Sequence, residues 1–260
     1  MMLLIPPFFT RYNYNSYSTK KAPKAPSSKE KVLEEPLVKE AFNFYNCRLG
    51  SRKLNLNEIR GLGIEDLHEL PNNSLRGRTL SSKTPHHLQQ LKKAGISTVI
   101  DLRGKDAPSN YGERCQKYGL RYFNFPLDFK ETPSRKIIDN LGEFFKQMNN
   151  GNFYISCAQG LHRTDLALAI NYVFNPNASK TPPVMWGAKI DNEAEMSKTF
   201  ARLNDIYKNL TPQDRKKLHI KETFGEEEFK KRKTAIVEYT LLNRQKQSAD
   251  KTKTRYEIKF

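Results

Sequence analysis

The period of the hydrophobic positions changes along the chain, and the first regular signal begins at Thr84. Thr84 followed by Pro85 reads as an N-cap with proline at the first helical position; Leu88, Leu91 and Ala94 recur at helical spacing, and Gly95 is a C-terminal stop. This predicts a helix over 85–94. Residues 97–102 follow as a buried strand centred on Val99 and Ile100, and 121–127 as another. Thr132 and Pro133 repeat the cap, and Ile137, Ile138, Leu141, Phe144, Phe145 and Met148 form one apolar stripe that ends at Asn149, Asn150 and Gly151. Residues 153–156 read as a short buried strand. The stretch 164–174 is apolar nearly all round, which places a helix in the middle of a domain. Met196, Phe200, Leu203 and Tyr207 share a face of a helix over 193–208, and Thr211 with Pro212 opens another over 212–218. A charged helix over 223–247 and a tail of about a dozen residues complete the chain.

Strands alternating with helices predict an α/β domain, with a mostly parallel central sheet and helices on both faces. The expected organisation is a basic, largely disordered leader over 1–60, a catalytic domain over 61–222, and a charged helix with a basic tail over 223–260. The leader is rich in Asn, Tyr, Ser, Lys and Pro and has no acidic residue before Glu30; a short helix around 38–45 is its one element. Its first nine residues are apolar, but they lack a positively charged start and are broken by Pro6 and Pro7, which argues against a cleaved secretory signal. No apolar run approaches the roughly 18 residues that a membrane span needs. Cys47, Cys115 and Cys157 are too scattered for a zinc cluster, and their odd number argues against a disulfide framework. Free thiols point to the cytoplasm, with export or organelle targeting through the basic leader as the alternative. The net charge of +17 is spread along the chain, with 230–233 its one unbroken basic block. It favours anionic ligands; nucleic acid is a possible partner but not the favoured one.

The chemistry concentrates in Ile155-Ser156-Cys157-Ala158-Gln159-Gly160-Leu161-His162-Arg163-Thr164, between a buried strand and the all-apolar helix. Ligands of open α/β sheets bind at such junctions, beyond the carboxyl ends of strands. Residues Ala158, Gln159, Gly160, Leu161 and His162 can form a cradle whose amides converge on one tetrahedral anion, with Gly160 permitting close approach and the helix N-terminus aimed at the same spot. That field favours a thiolate as well as a phosphate, so Cys157 is the candidate nucleophile. Arg163 supplies a planar fork for two phosphate oxygens, and Thr164 can donate to the cysteine sulfur. His162 is either a substrate contact or a polar residue opening a helix. His86 and His87 are adjacent on a helix and do not share a face, so no metal and no other cofactor is implied.

Cys157, Gly160, Arg163 and Thr164 resemble the Cys-x5-Arg signature of the protein tyrosine and dual-specificity phosphatases, over about 74–210. Arg76, Leu80, Leu91, Gly95, Ile96 and the run Val99-Ile100-Asp101-Leu102-Arg103 are similar to the lead-in of the small bacterial, plant and fungal members. His162-Arg163-Thr164 echoes atypical members that act on inositol pyrophosphates, although Leu161 stands where those carry lysine. Ser156 replaces the family's usual histidine, and Asp165 stands where a small residue is expected. The resemblance implies a metal-independent phosphatase working through a cysteinyl-phosphate. It also implies a general acid on a loop after the preceding strand, where Asp128 lies; read as a residue alone, Asp128 could equally be a turn or cap. Asp106 and Asp139 compete for the role, while Asp101 and Arg103 read as a structural pair. A phosphorylated protein is the favoured substrate, with inositol phosphates, phosphoinositides and RNA 5′-phosphates as rivals. A weakly active phosphate-binding module and a sulfurtransferase are the alternatives of other classes.

Overall fold

The short apolar runs in the middle of the chain become the central strands of the sheet. The structure is a computed structural model that describes residues 53–59, 63–81, 83–128, 132–187 and 193–257. Its strands are β1 (His68–Leu70), β2 (Ser74–Arg78), β3 (Thr98–Asp101), β4 (Arg121–Asn124) and β5 (Phe153–Cys157). They form one sheet in the order β1-β2-β5-β3-β4. β1 is antiparallel to β2, and the remaining pairs are parallel. β5 is central, with Cys157 opposite Arg78 on one side and Ser156 opposite Asp101 on the other.

The two-residue pleat divides the apolar side chains between two cores. Val99, Leu75 and Tyr154 face α1 (His86–Ala94), α2 (Tyr111–Lys117) and a 3-10 turn at Leu56–Glu58. Ile100, Phe153, Ile155 and Cys157 face the other layer. That layer contains α3 (Ser134–Asn149), α4 (His162–Phe174), α5 (Glu193–Asn209), α6 (Pro212–Lys217) and α7 (Glu226–Glu257). Helices on both faces of a mostly parallel sheet match the expected class. α7 inserts Phe229 and Ile236 into the second core. Its Arg232 donates to the carbonyls of Tyr172 and Val173 at the end of α4, a favourable place for a cation at a helix C-terminus.

The element boundaries differ from expectation in physically readable ways. Thr84 donates its hydroxyl to the Ser81 carbonyl instead of capping, and α1 starts at His86 behind Pro85 with no side-chain cap. The strand expected over 121–127 stops pairing as a ladder at Asn124; Pro126 has no N–H to offer, although Phe125 and Leu127 stay buried. α7 continues to Glu257, where a tail was expected after 247. β1, β2 and α2 were not expected as elements. Residues 1–52 of the leader, with the helix over 38–45 and Cys47, lie outside the described residues, whereas 53–59 are ordered against the sheet through the 3-10 turn and a buried Ile59. Among the described residues, no helix is long and apolar enough to cross a membrane.

Candidate active site

Cys157 ends β5, and the chain turns through Ala158, Gln159, Gly160 and Leu161 into α4, which starts at His162 with no side chain capping its N-terminus. The turn folds back tightly over β2. Gly160 has φ +75°, and a Cβ there would lie 2.3 Å from the carbonyl carbon of Gly77 and 2.6 Å from the Arg78 nitrogen. Only glycine meets both conditions.

Beneath the loop lies Arg76 of β2, fully buried. Its Nη2 donates to the Gly160 carbonyl at 2.7 Å and the Leu161 carbonyl at 3.4 Å, and its Nη1 to the Val184 carbonyl at 3.3 Å. Drawing the Gly160 carbonyl toward Arg76 turns the Leu161 N–H to the opposite side, because carbonyl and N–H are antiparallel across a trans peptide. The charge of Arg76 is met by Asp165 of α4 at 2.6 Å. Asp165 also accepts the N–H groups of Trp186 at 3.2 Å and Gly187 at 2.7 Å. Burial pushes the Asp165 carboxyl up, and Arg76 with the two amides offsets only part of that rise. Asp165 therefore serves the underside of the loop and does not line the cavity above it.

On the upper side, Asp128, Cys157, Ala158, Gln159, His162 and Arg163 line one cavity of about 800 Å³. Arg163 pairs through Nη1 with both oxygens of Asp106 at 3.0 and 2.9 Å, and its Nη2 lies 3.6 Å from Asp128. The Asp128 N–H donates to the Thr132 hydroxyl at 3.0 Å, fixing the start of its loop. Thus two carboxylates from separate loops converge on the one guanidinium next to the thiol. Asp139 lies elsewhere, paired with Arg135 on an exposed face of α3. Asp101 and Arg103 form a buried two-point pair at 2.9 and 2.8 Å, as expected of a structural couple. The Thr164 hydroxyl does not reach the cysteine sulfur; it is buried with no hydrogen-bond partner among the described residues, as is that of Ser156.

Residues 76–176 match the family model described as "Tc-R-P: Polymorphic toxin system, DSP-PTPase phosphatase". Over these residues the chain is similar to that family of phosphatases. No curated protein matches the chain significantly. Among solved structures, the chain is similar to a DUF442 protein of Shewanella putrefaciens CN-32, with 20% identity, a TM-score of 0.43, and coverage of 59% of this chain and 97% of that one. It is also similar to P. aeruginosa TpbA, at 12% identity and TM-score 0.36, over 51% of this chain and 85% of that one. The core catalytic domain of the PP-IP phosphatase SIW14 from S. cerevisiae matches at 14% identity and TM-score 0.36, over 65% of this chain and 90% of that one.

The roles of three cationic residues around the cavity and its loop escaped the sequence reading. Arg76 was noted only as part of a lead-in; a charged residue in a strand and Asp165 in an all-apolar helix were the available signal for a buried pair. Lys198 and Arg202 of α5 also line the cavity. Their four-residue spacing on one helix face was visible, but nothing local tied that face to Cys157.

Proposed function

We propose that the protein hydrolyses phosphomonoesters through a cysteinyl-phosphate, most readily on phosphorylated proteins, without a metal cofactor. The observation that carries this reading is the convergence of Cys157, Arg163 and Asp128 on one cavity at the carboxyl end of the central strand. In the first step the Cys157 thiolate attacks phosphorus in line. The S–P bond forms as the P–O bond breaks, and protonated Asp128 gives its proton to the departing oxygen. In the second step the Asp128 carboxylate takes a proton from water, whose oxygen attacks phosphorus. The S–P bond breaks, and thiolate and inorganic phosphate are released. Arg163 and the amides of the 158–163 loop hold the equatorial oxygens as their charge grows. For Arg163 to do so, phosphate must replace Asp106 on its fork.

The test is selective alkylation with turnover measured alongside it. Near pH 6, Cys157 is expected to react with iodoacetate far faster than Cys115, which is buried and whose thiol is pushed up to about 12 by that burial. Phosphate or vanadate should protect Cys157. Cys157→Ser should end phosphate release from an aryl phosphate while keeping phosphate binding. Equal labelling of both thiols, or turnover that survives Cys157→Ser, would overturn the mechanism. Binding with no release in the unmodified protein would identify a phosphate-recognition module instead.

A further inference from the structure

Resting on that reading and extending it to the substrate, we propose that α5 supplies a second anion subsite built from Lys198 and Arg202, so that phosphomonoesters carrying a second phosphate are preferred over those carrying one. The cavity that starts at Cys157 continues to the face of α5 formed by Lys198, Thr199, Ala201, Arg202 and Asp205. At about 800 Å³ it falls within the roughly 300–1,000 Å³ of sites that enclose whole organic ligands. It is therefore larger than recognition of a lone phosphate requires.

Arg202 is the decisive residue. Its side chain is only 13% exposed, and Nη1 is paired with Asp205 at 3.0 Å. Nε and Nη2 are buried and have no hydrogen-bond partner among the described residues. A buried donor left unmet costs about 1–3 kcal/mol, and more when it is charged. Asp205 has other partners to serve: it accepts from the Ser134 hydroxyl and from the Asn209 side chain. A phosphate at this wall would meet the charge of the guanidinium, and it would accept from the covered Nε and Nη2 once the side chain turns them toward the cavity.

Lys198 stands one turn earlier on the same helix and adds a second positive charge to that wall. Among the described residues of α5 that line the cavity, Asp205 is the carboxylate beside Lys198 and Arg202. A second phosphate completes the balance. The same chemistry could come from a small bisphosphorylated molecule or from a doubly phosphorylated peptide, so both are compared below.

The experiment measures how strongly inorganic orthophosphate, pyrophosphate and tripolyphosphate protect Cys157 from iodoacetate, a readout independent of turnover. Tripolyphosphate is expected to protect at least about tenfold more tightly than orthophosphate, equivalent to about 1.4 kcal/mol. In Lys198→Gln/Arg202→Gln that ratio should fall to about twofold or less. Lys198→Gln alone changes an exposed residue and should still lower the ratio about threefold, so the test survives if the double variant does not fold. Equal protection by all three anions in the unmodified protein, or an unchanged ratio in the variants, overturns the subsite while leaving phosphatase activity on an aryl phosphate intact. Absence of that activity with the ladder of protection retained would instead overturn the phosphatase reading. Finally, kcat/KM for fructose 1,6-bisphosphate against fructose 6-phosphate, and for a doubly against a singly phosphorylated peptide, identifies the source. The pair whose preference disappears in Lys198→Gln is the one the subsite serves, and loss in neither pair rejects the proposal.

Discussion

Asp106 and Asp128 both touch Arg163, but through different contacts. Asp106 makes two short bonds to Nη1 and also accepts the Gly104 N–H at 3.1 Å, so its carboxylate belongs to a loop that grips the guanidinium in the free protein. Asp128 stands 3.6 Å away and lines the cavity with Cys157; the mechanism proposed above gives it the leaving-group proton. An aryl phosphate with a very acidic phenol departs without a proton, whereas an alkyl or tyrosyl oxygen needs one. Asp128→Asn should therefore lower kcat on phosphopeptides by roughly 10²- to 10⁴-fold and on activated aryl esters much less. Asp106→Asn should leave that leaving-group dependence alone. Because the Arg163–Asp106 pair is partly exposed, at 23% and 43%, it is worth at most about 1 kcal/mol, and orthophosphate should inhibit this variant up to about fivefold more tightly. A series of aryl phosphates of graded phenol pKa, with Ki for orthophosphate, separates the two. Steepened dependence in Asp106→Asn rather than Asp128→Asn would exchange their roles.

At the scale of elements, α6 shows a local signal and a long-range tie meeting in one carboxylate. Thr211 and Asp214 form a reciprocal capping box, and Asp214 also takes a two-point bond from Arg135 of α3 at 2.8 and 2.7 Å. The Arg135 hydrogen bonds, aided by Thr211, hold the Asp214 carboxyl well below the usual range. A carboxylate depressed in the folded state stabilises the fold above its unfolded pKa, near 3.9, and loses that contribution as pH falls toward the folded value. Asp214→Asn should accordingly cost about 1 kcal/mol in urea unfolding at pH 7, with the deficit shrinking below about pH 4. A deficit independent of pH would assign the loss to packing. The capping pair Thr211-Pro212 was legible because a cap is written in adjacent residues, whereas Thr132, read as a cap in the same way, accepts the Asp128 N–H on its hydroxyl and leaves α3 to start behind Pro133 with no side-chain cap. β2 was not, since Leu75 is its only large apolar residue although four of its five positions are buried. Arg76 is tolerated there because Asp165 arrives from α4. α2 hides for a related reason: only Tyr111 and Cys115, one turn apart, face its core. Cys157, Ala158, Gln159, His162 and Arg163 could be read together because one strand-to-helix turn carries them all. Lys198 and Arg202 reach the same cavity only through tertiary packing.

At the largest scale, the loop from Cys157 to Arg163 is tied to α7 through a series of polar contacts that no single element contains. Thr240 of α7 accepts the Met185 N–H at 3.1 Å, and Arg244 donates to the Met185 carbonyl. The next two residues, Trp186 and Gly187, donate their N–H groups to Asp165, which holds Arg76, which holds the Gly160 and Leu161 carbonyls. Trp186 is steadied on its other side by His68 of β1, stacked at 4.2 Å. Segment 184–187 is thus a wedge between α7 and the underside of the loop. Thr240 is 1% exposed, so Thr240→Val nearly keeps the shape of the site and removes the hydroxyl that accepts the Met185 N–H. Leaving the Met185 N–H buried and unmet should destabilise the fold by about 1–3 kcal/mol. A loosened wedge should also weaken the loop's hold on phosphate, raising Ki for orthophosphate and KM for an aryl phosphate, although Thr240 lies outside the cavity. Orthophosphate Ki and thermal unfolding measured on the same preparation decide the matter. If stability falls while Ki and KM stay fixed, α7 supports the core alone, and the contacts through Met185 and Asp165 carry no influence to the loop that holds Cys157.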